Sequence, residues 1–156
     1  MDYGLVVERL RGKGCYSFKP AAEEDVQFLV DHQFSEVIVA FYRNYEPRTI
    51  CDPDKVFEGI RLYSIQEMVF QTTEMDPGAS LAPYSFYTIA SNRFGDCYLM
   101  DGREEKPEGG YPIVYADHEM FGLEVAADEV EGMIKKVANS LYEFLEMVER
   151  GEIEEE

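Results

Sequence analysis

The carboxylates and the two histidines of this sequence are the residues whose types could support catalysis or metal binding. The tripeptide Asp117-His118-Glu119 gathers three potential metal ligands. On an extended chain, neighbouring side chains point to opposite faces, so at most two of these three could bind one ion. The pattern therefore favours a hydrogen-bonded or solvated loop histidine over a metal site, and we expect no cofactor.

A second pair of carboxylates, Asp96 and Asp101, flanks the predicted strand Cys97–Met100. Glycoside hydrolysis needs two carboxyl groups about 5 to 9.5 Å apart. Five residues of strand span roughly 17 Å, and the odd separation places the two side chains on opposite faces. Carboxylates that cap tight turns explain the pattern better. Neither histidine lies in a nucleophile motif and the sequence has no glycine-rich phosphate loop, so it predicts a protein that is not an enzyme.

The three cysteines, Cys15, Cys51 and Cys97, are widely spaced and include no Cys-x-x-Cys pair. Their odd number and spacing favour reduced thiols over a disulfide framework or a structural zinc site. The first residues do not have the composition of a signal peptide, and no apolar run approaches the ~18 residues that span a membrane. We therefore expect a cytoplasmic protein.

The 156 residues carry 14 basic and 32 acidic side chains, a formal net charge of −18. Residues 117–156 hold 13 of the acidic side chains and 3 of the basic ones. Such a chain lacks the basic surface that binds nucleic acid or an anionic membrane, so the expected partner is a basic protein, and the oligomeric state stays open. The length predicts one domain over residues 1–151, followed by an acidic tail, residues 152–156, that is expected to fray.

The first half of the chain predicts helices. The stretch from Leu5 to Lys19 alternates only weakly, and an edge strand and an ordered arm both fit it. A helix is predicted after Pro20, where three acidic residues favour a helix N-terminus. A second helix is predicted from Ser35, which can cap it, to Pro47, which ends it. Residues 48–55 are expected to form a loop.

The second half predicts antiparallel strands and a closing helix. Strands are expected at 56–63, 84–90, 97–100 and 111–115, with a polar hairpin loop at 103–110. Ser-x-x-Glu capping boxes at Ser64 and Ser140 predict a short helix to about residue 72 and a final helix that ends at Gly151. Residues 126–138 fit a helix or a strand, and a strand at 133–138 is favoured. This order predicts an α+β fold with N-terminal helices, an antiparallel β-sheet and a C-terminal closing helix.

Three segments of the second half resemble the SUKH superfamily in order and spacing. Residues 86–101, which form an apolar strand, a Gly-Asp turn and an aromatic strand ending in an aspartate, resemble its central hairpin. Residues 111–119 resemble the strand that leads to the Asp-His-Glu of that family, and residues 137–145 resemble its closing helix. Upstream, residues 61–67 resemble the step from strand to helix in the same family.

The resemblance implies a SUKH-like domain that binds proteins and does not turn over substrates. Many bacterial members are immunity proteins that each neutralise a cognate toxin, often a nuclease, and fungal relatives regulate cell-wall assembly. We therefore expect an immunity protein, and the acidic charge fits a nuclease partner, since an enzyme that binds phosphates tends to be basic. An intracellular regulatory scaffold of the cell-wall-regulator type and an acidic DNA mimic stay open as alternatives.

The candidate partner contacts lie at the expected turns and acidic strand ends of the central hairpin and of the strand after it. Tyrosine is enriched among the residues that dominate protein interfaces, and carboxylates would meet a basic partner. The candidates are Asp96, Tyr98, Asp101, Asp117, His118 and Glu119.

Overall fold

The computed structural model of the chain describes residues 2–50, 59–103, 109–120 and 124–153. Five features predicted from the sequence lie wholly or partly outside these residues: Cys51, most of the loop expected at 48–55, the start of the strand expected at 56–63, most of the hairpin loop expected at 103–110, and the last three residues of the acidic tail expected at 152–156. The described helices are α1 (Tyr3–Arg11), α2 (Glu23–Asp31), α3 (Glu36–Tyr45), α4 (Ile65–Thr73), α5 (Gly78–Leu81), α6 (Val130–Met133) and α7 (Leu141–Arg150), and short 3-10 helices lie at Ala82–Tyr84, His118–Met120 and Ala127–Glu129.

The described strands form two antiparallel sheets. The strands are β1 (Tyr16–Lys19), β2 (Glu46–Thr49), β3 (Arg61–Leu62), β4 (Phe86–Ser91), β5 (Cys97–Asp101), β6 (Ile113–Ala116) and β7 (Ile134–Ala138). One sheet pairs β1 with β2, and the other has the order β3-β4-β5-β6-β7. The predicted α+β class, with helices on an antiparallel sheet and a closing helix, is therefore confirmed.

The central strand β5 is buried along its whole length because both faces of the sheet are covered. Tyr98 and Met100 point into the larger apolar cluster, which α1, α3 and α7 cover. Cys97 and Leu99 point into a second cluster on the other face, where the segments around α5 and α6 pack. Alternation along the strand thus divides its side chains between two cores. Burial also raises the pKa of the Cys97 thiol to about 12, which keeps this cysteine in its unreactive thiol form.

The N-terminal stretch from Leu5 to Lys19 is a helix followed by a strand, so the edge strand expected for it is confirmed only for β1 (Tyr16–Lys19). Residues 3–11 form the helix α1, whose first turn is capped by the Asp2 carboxylate accepting a hydrogen bond from the Leu5 N–H at 3.3 Å. Val6 and Leu10, one helical turn apart, are fully buried in the larger cluster, and α1 packs against α7. Burial against a distant helix, and not the local sequence pattern, stabilises this element.

The loop expected at residues 48–55 is also wrong in part, because β2 continues to Thr49. Pro47 ends α3, as expected, but it then pairs with Phe18 of β1. Proline has no backbone N–H to donate. It is tolerated there because β2 pairs with β1 alone in this sheet, so only one side of β2 has to supply hydrogen bonds to a neighbouring strand.

Several predicted elements are confirmed where local signals were strong. The capping box at Ser64 is complete, with Glu67 as its second member, and α4 follows it. Ser140 caps α7, which ends at Gly151 with a φ of 70°. The strand favoured at 133–138 is β7, preceded by the single-turn helix α6. No helix within the described ranges is both long and apolar enough to cross a membrane.

Candidate functional site

The turn that joins β4 to β5 lies beside the candidate residues and is closed by several hydrogen bonds. The side-chain oxygen of Asn92 accepts hydrogen bonds from the N–H groups of Phe94 at 3.0 Å and Asp96 at 3.1 Å. The Asn92 N–H donates to the Asp96 carbonyl at 3.0 Å. Gly95 takes a φ of 88°, which favours glycine because it has no Cβ. The tight connection predicted at 92–96 is confirmed, and its backbone is held on both sides.

The buried carboxylate of Asp96 ties this turn to the segment that follows β6. One oxygen accepts a hydrogen bond from the Asn92 side-chain amide at 3.0 Å. The other accepts one from the His118 backbone N–H at 3.0 Å and lies 2.7 Å from His118 Nδ1. The Tyr115 hydroxyl also donates to this carboxylate. A buried carboxylate with this many donors is well satisfied.

These contacts shift the proton affinities of the groups involved. Burial acts to raise the pKa of Asp96, but the hydrogen bonds from His118, Asn92 and Tyr115 outweigh it and hold that pKa below its ordinary value. The hydrogen bond to Asp96 raises the pKa of His118. Burial, together with the Asp96 charge, raises the pKa of Tyr115. The result is a carboxylate–imidazole pair that is most stable in its doubly charged form.

The Asp-His-Glu segment does not run as an extended chain, as the sequence prediction assumed. It enters a 3-10 helix at His118, so its three side chains stay close together. Asp117 Oδ1 lies 3.8 Å from His118 Nδ1, and Glu119 Oε1 lies 3.9 Å from His118 Nε2. Ligand atoms of Asp96, Asp117 and His118 lie within 4.8 Å of one another. Nδ1 of His118 is already engaged by Asp96, so a cation there would compete with that hydrogen bond.

Asp101 lies at the opposite end of β5, where it anchors a different turn. Arg103 donates to both of its carboxylate oxygens, from Nε at 2.9 Å and from Nη2 at 2.8 Å. The same guanidinium contacts Glu131 at 2.6 Å and lies 4.9 Å from the Phe86 ring centroid. Asp101 is therefore one partner of a structural ion pair, separated from Asp96 by the whole strand.

Three of the six candidate contact residues are buried. Asp96, Tyr98 and Asp101 are 2%, 1% and 9% exposed, because both faces of β5 are covered and its terminal carboxylates are used inside the protein. Their expected position on the surface is wrong, and the structure assigns Asp96 and Asp101 an anchoring role. The structure leaves Asp117, His118 and Glu119 accessible at the surface.

Phe94 is a surface residue that the sequence interpretation missed. Its side chain is 46% exposed at the tip of the turn, and the Arg93 guanidinium lies 4.7 Å from its ring centroid. Gly95, the next residue, packs near the His118 ring, so Phe94 and the Asp-His-Glu segment share one surface. A signal was available in the sequence, since an aromatic residue between Asn92 and Gly95 is unusual in a tight polar turn.

The fold and this surface define an acidic α+β domain that presents an aromatic residue and carboxylates on a firmly hydrogen-bonded turn. A model of the SMI1 / KNR4 family (SUKH-1) matches residues 20–147, and the chain belongs to that family. The match confirms the resemblance found in the sequence. A search of curated proteins found no match to this chain.

Proposed function

We propose that this protein is a binding domain of immunity type, which neutralises a cognate bacterial toxin domain by binding it. The observation that carries the proposal is the surface formed by Phe94, Asp117, His118 and Glu119, hereafter the tip surface. Membership of the SMI1 / KNR4 family supports a binding role, because the family includes immunity proteins and regulators.

The tip surface combines one aromatic residue that suits an interface centre with charged residues that suit an interface rim. Phe94 offers a large apolar side chain, and a few such residues supply most of the binding energy in protein interfaces. The turn is fixed by the Asn92 and Asp96 hydrogen bonds, so little conformational entropy is lost when a partner orders it. The partner therefore needs an apolar pocket for one ring, next to basic groups.

Charge supports a basic partner. The partly buried carboxylate of Asp117 and the exposed one of Glu119 belong to the tip surface, in a chain whose formal net charge is −18. An acidic surface attracts a basic domain over a distance of about 10 Å at 0.1 M salt and speeds the encounter. A toxin nuclease binds phosphates and so provides the basic surface that this arrangement would meet.

The test is co-expression with the toxin domain encoded by the adjacent gene. We expect the wild-type chain to restore growth and to bind that domain, with affinity that falls as salt rises. Phe94→Ala should weaken binding about tenfold or more, the range of an interface centre. Phe70→Ala is the matched control, because Phe70 is 53% exposed on α4, outside the tip surface. Failure of the wild-type chain to restore growth and to bind at low salt would contradict the proposal.

A regulatory scaffold is the second candidate, because the family match covers cell-wall regulators equally well. The position of the gene distinguishes the two: a toxin gene immediately upstream favours the immunity protein, and an isolated gene favours the scaffold. An acidic DNA mimic predicts a third result, in which duplex DNA competes with this protein for its partner.

A further inference from the structure

A groove of about 220 Å³ lies between the strand β7 and the C-terminal end of α7. Its lining combines apolar and aromatic side chains with two lysines, and it consists of Tyr98, Tyr115, Lys135, Lys136, Val137, Met147, Glu152 and Ile153. Pockets that hold drug-sized ligands measure about 300 to 1,000 Å³, so this groove suits one large side chain of a protein partner better than a free small molecule.

The groove adjoins the tip surface. Tyr98, Tyr115 and Lys135 are paired across β5, β6 and β7, so their side chains stand in one row on the face of the sheet that α7 covers. The Tyr115 hydroxyl donates to Asp96, whose carboxylate also bonds His118. His118 follows Tyr115 by three residues, which is at most about 11 Å of chain. A typical interface covers about 800 Å² of each partner, so one partner can contact the groove and the tip surface together.

The groove carries positive charge within an acidic part of the chain. Residues 117–156 hold 13 acidic and 3 basic side chains, and two of these three, Lys135 and Lys136, line the groove and are exposed on β7. The third, Arg150, lies 3.8 Å from Glu152, so the carboxylate in the groove lining already has a cation beside it. A basic side chain that entered the groove would be repelled by the lysines, whereas a carboxylate would be attracted to them.

The apolar part of the lining has surface left to bury. Val137, Met147 and Ile153 pack against the larger apolar cluster but are only partly buried. An apolar side chain placed on them would remove this surface from water, which favours binding. The thioether of Met147 adapts to irregular shapes and makes favourable contacts with aromatic rings. The groove therefore fits a large apolar side chain that has a carboxylate near it.

We propose that this groove is a second contact for the toxin domain and receives an acidic, apolar segment of it. The toxin domain then carries two different patches: basic groups beside an apolar pocket meet the tip surface, and a large apolar side chain beside a carboxylate enters the groove. The lysines fix the orientation of docking, because the reverse orientation would bring like charges together. This inference rests on the proposed function and adds the chemistry of a segment that the partner must carry.

The test compares two double variants that make the chain more acidic by the same amount. Lys135→Glu/Lys136→Glu reverses the charge of the groove, and Lys13→Glu/Lys19→Glu reverses two exposed lysines that do not line it. If overall acidity alone governed binding, both variants would bind the basic toxin domain at least as tightly as the wild-type chain. We expect calorimetry with the toxin domain encoded by the adjacent gene to show a Kd at least tenfold higher for the groove variant, and an unchanged or lower Kd for the control. An unchanged or lower Kd for the groove variant would overturn the inference.

A second measurement uses the wild-type complex, so it does not depend on the folding of a variant. A water-soluble carbodiimide joins a carboxylate to an amine when the two are in contact. Mass spectrometry should find carboxylates of the toxin domain joined to Lys135 or Lys136 at least threefold more often than to Lys13 or Lys19, and equal joining would overturn the inference. A wild-type chain that neither restores growth nor binds contradicts the proposed function itself, whereas wild-type binding that the groove variant retains contradicts only the role of the groove.

Discussion

At the scale of single residues, Asp96 shows how one buried carboxylate can hold two distant segments together. Cys97 pairs with Ala116 in the sheet, so their neighbours Asp96 and Asp117 meet just beyond the ends of β5 and β6. The turn around Asp96 was predictable because Asn92 and Gly95 act locally. The contact with His118 was not, because it depends on the register between two strands that the sequence does not specify on its own.

Replacing the Asp96 charge should destabilise the fold. In Asp96→Asn the buried site keeps its shape but offers one acceptor oxygen in place of two, to four donor groups. We expect the free energy of unfolding to fall by about 1 to 3 kcal/mol, the cost of leaving buried donors unsatisfied. Urea denaturation measures this change. Asp117→Asn is the control and should stay within about 0.5 kcal/mol, because that carboxylate is only partly buried. Equal effects of the two variants would contradict an anchoring role for Asp96.

The Asp96–His118 contact should depend on pH. The depressed pKa of Asp96 adds stability above its unfolded value of about 4, which is lost as pH falls through the folded pKa. The raised pKa of His118 adds stability below about 6.5, which is lost as pH rises through the folded pKa. The contact is therefore strongest between about pH 4 and 6.5. NMR titration should place the His118 midpoint above 6.5 and lower it in Asp96→Asn; an unchanged midpoint would show that Asp96 does not cause the shift.

At the scale of elements, helices that begin at a local capping signal could be predicted from the sequence, whereas a helix that depends on packing against a distant helix could not. For α4 and α7, the capping box at Ser64 and the N-cap hydrogen bond of Ser140 each act over three residues, and both serines were recognised as caps from the sequence. For α1, the stabilising partner is α7, about 130 residues away in the chain. Glycines follow it and its apolar residues include two valines, which do not favour a helix locally, so tertiary packing distinguishes it from an arm or an edge strand.

Because α1 lies outside the residues matched by the family model, its place in the domain needs its own test. Leu10→Ala should lower the free energy of unfolding by about 2 to 5 kcal/mol if α1 folds with the rest, since Leu10 is fully buried. The control Leu5→Ala, in the same helix but 54% exposed, should change it by less than about 0.5 kcal/mol. Thermal or urea unfolding measures both. If Leu10→Ala leaves the main transition unchanged, the predicted single domain over residues 1–151 is wrong at its N-terminus.

At the scale of the whole molecule, the net charge of −18 has opposite consequences for folding and for binding. Folding brings like charges together, and their repulsion destabilises the compact state. The described ion pairs are few and largely exposed, apart from those of the buried carboxylates Asp96, Asp101 and Glu46. Exposed pairs contribute little, so repulsion should outweigh them.

Sodium chloride should therefore stabilise the isolated protein while it weakens the proposed complex. Between 20 and 300 mM salt the Debye length falls from about 20 Å to below 8 Å, which screens both the internal repulsion and the attraction to a basic partner. We expect the melting temperature to rise by a few degrees and the association rate with the toxin domain to fall, both measured in the same buffers. A falling melting temperature would mean that the ion pairs around Asp96, Asp101 and Glu46 outweigh the repulsion. An association rate that does not change with salt would show that the acidic charge does not contribute to binding. The tip surface would then bind through Phe94 alone.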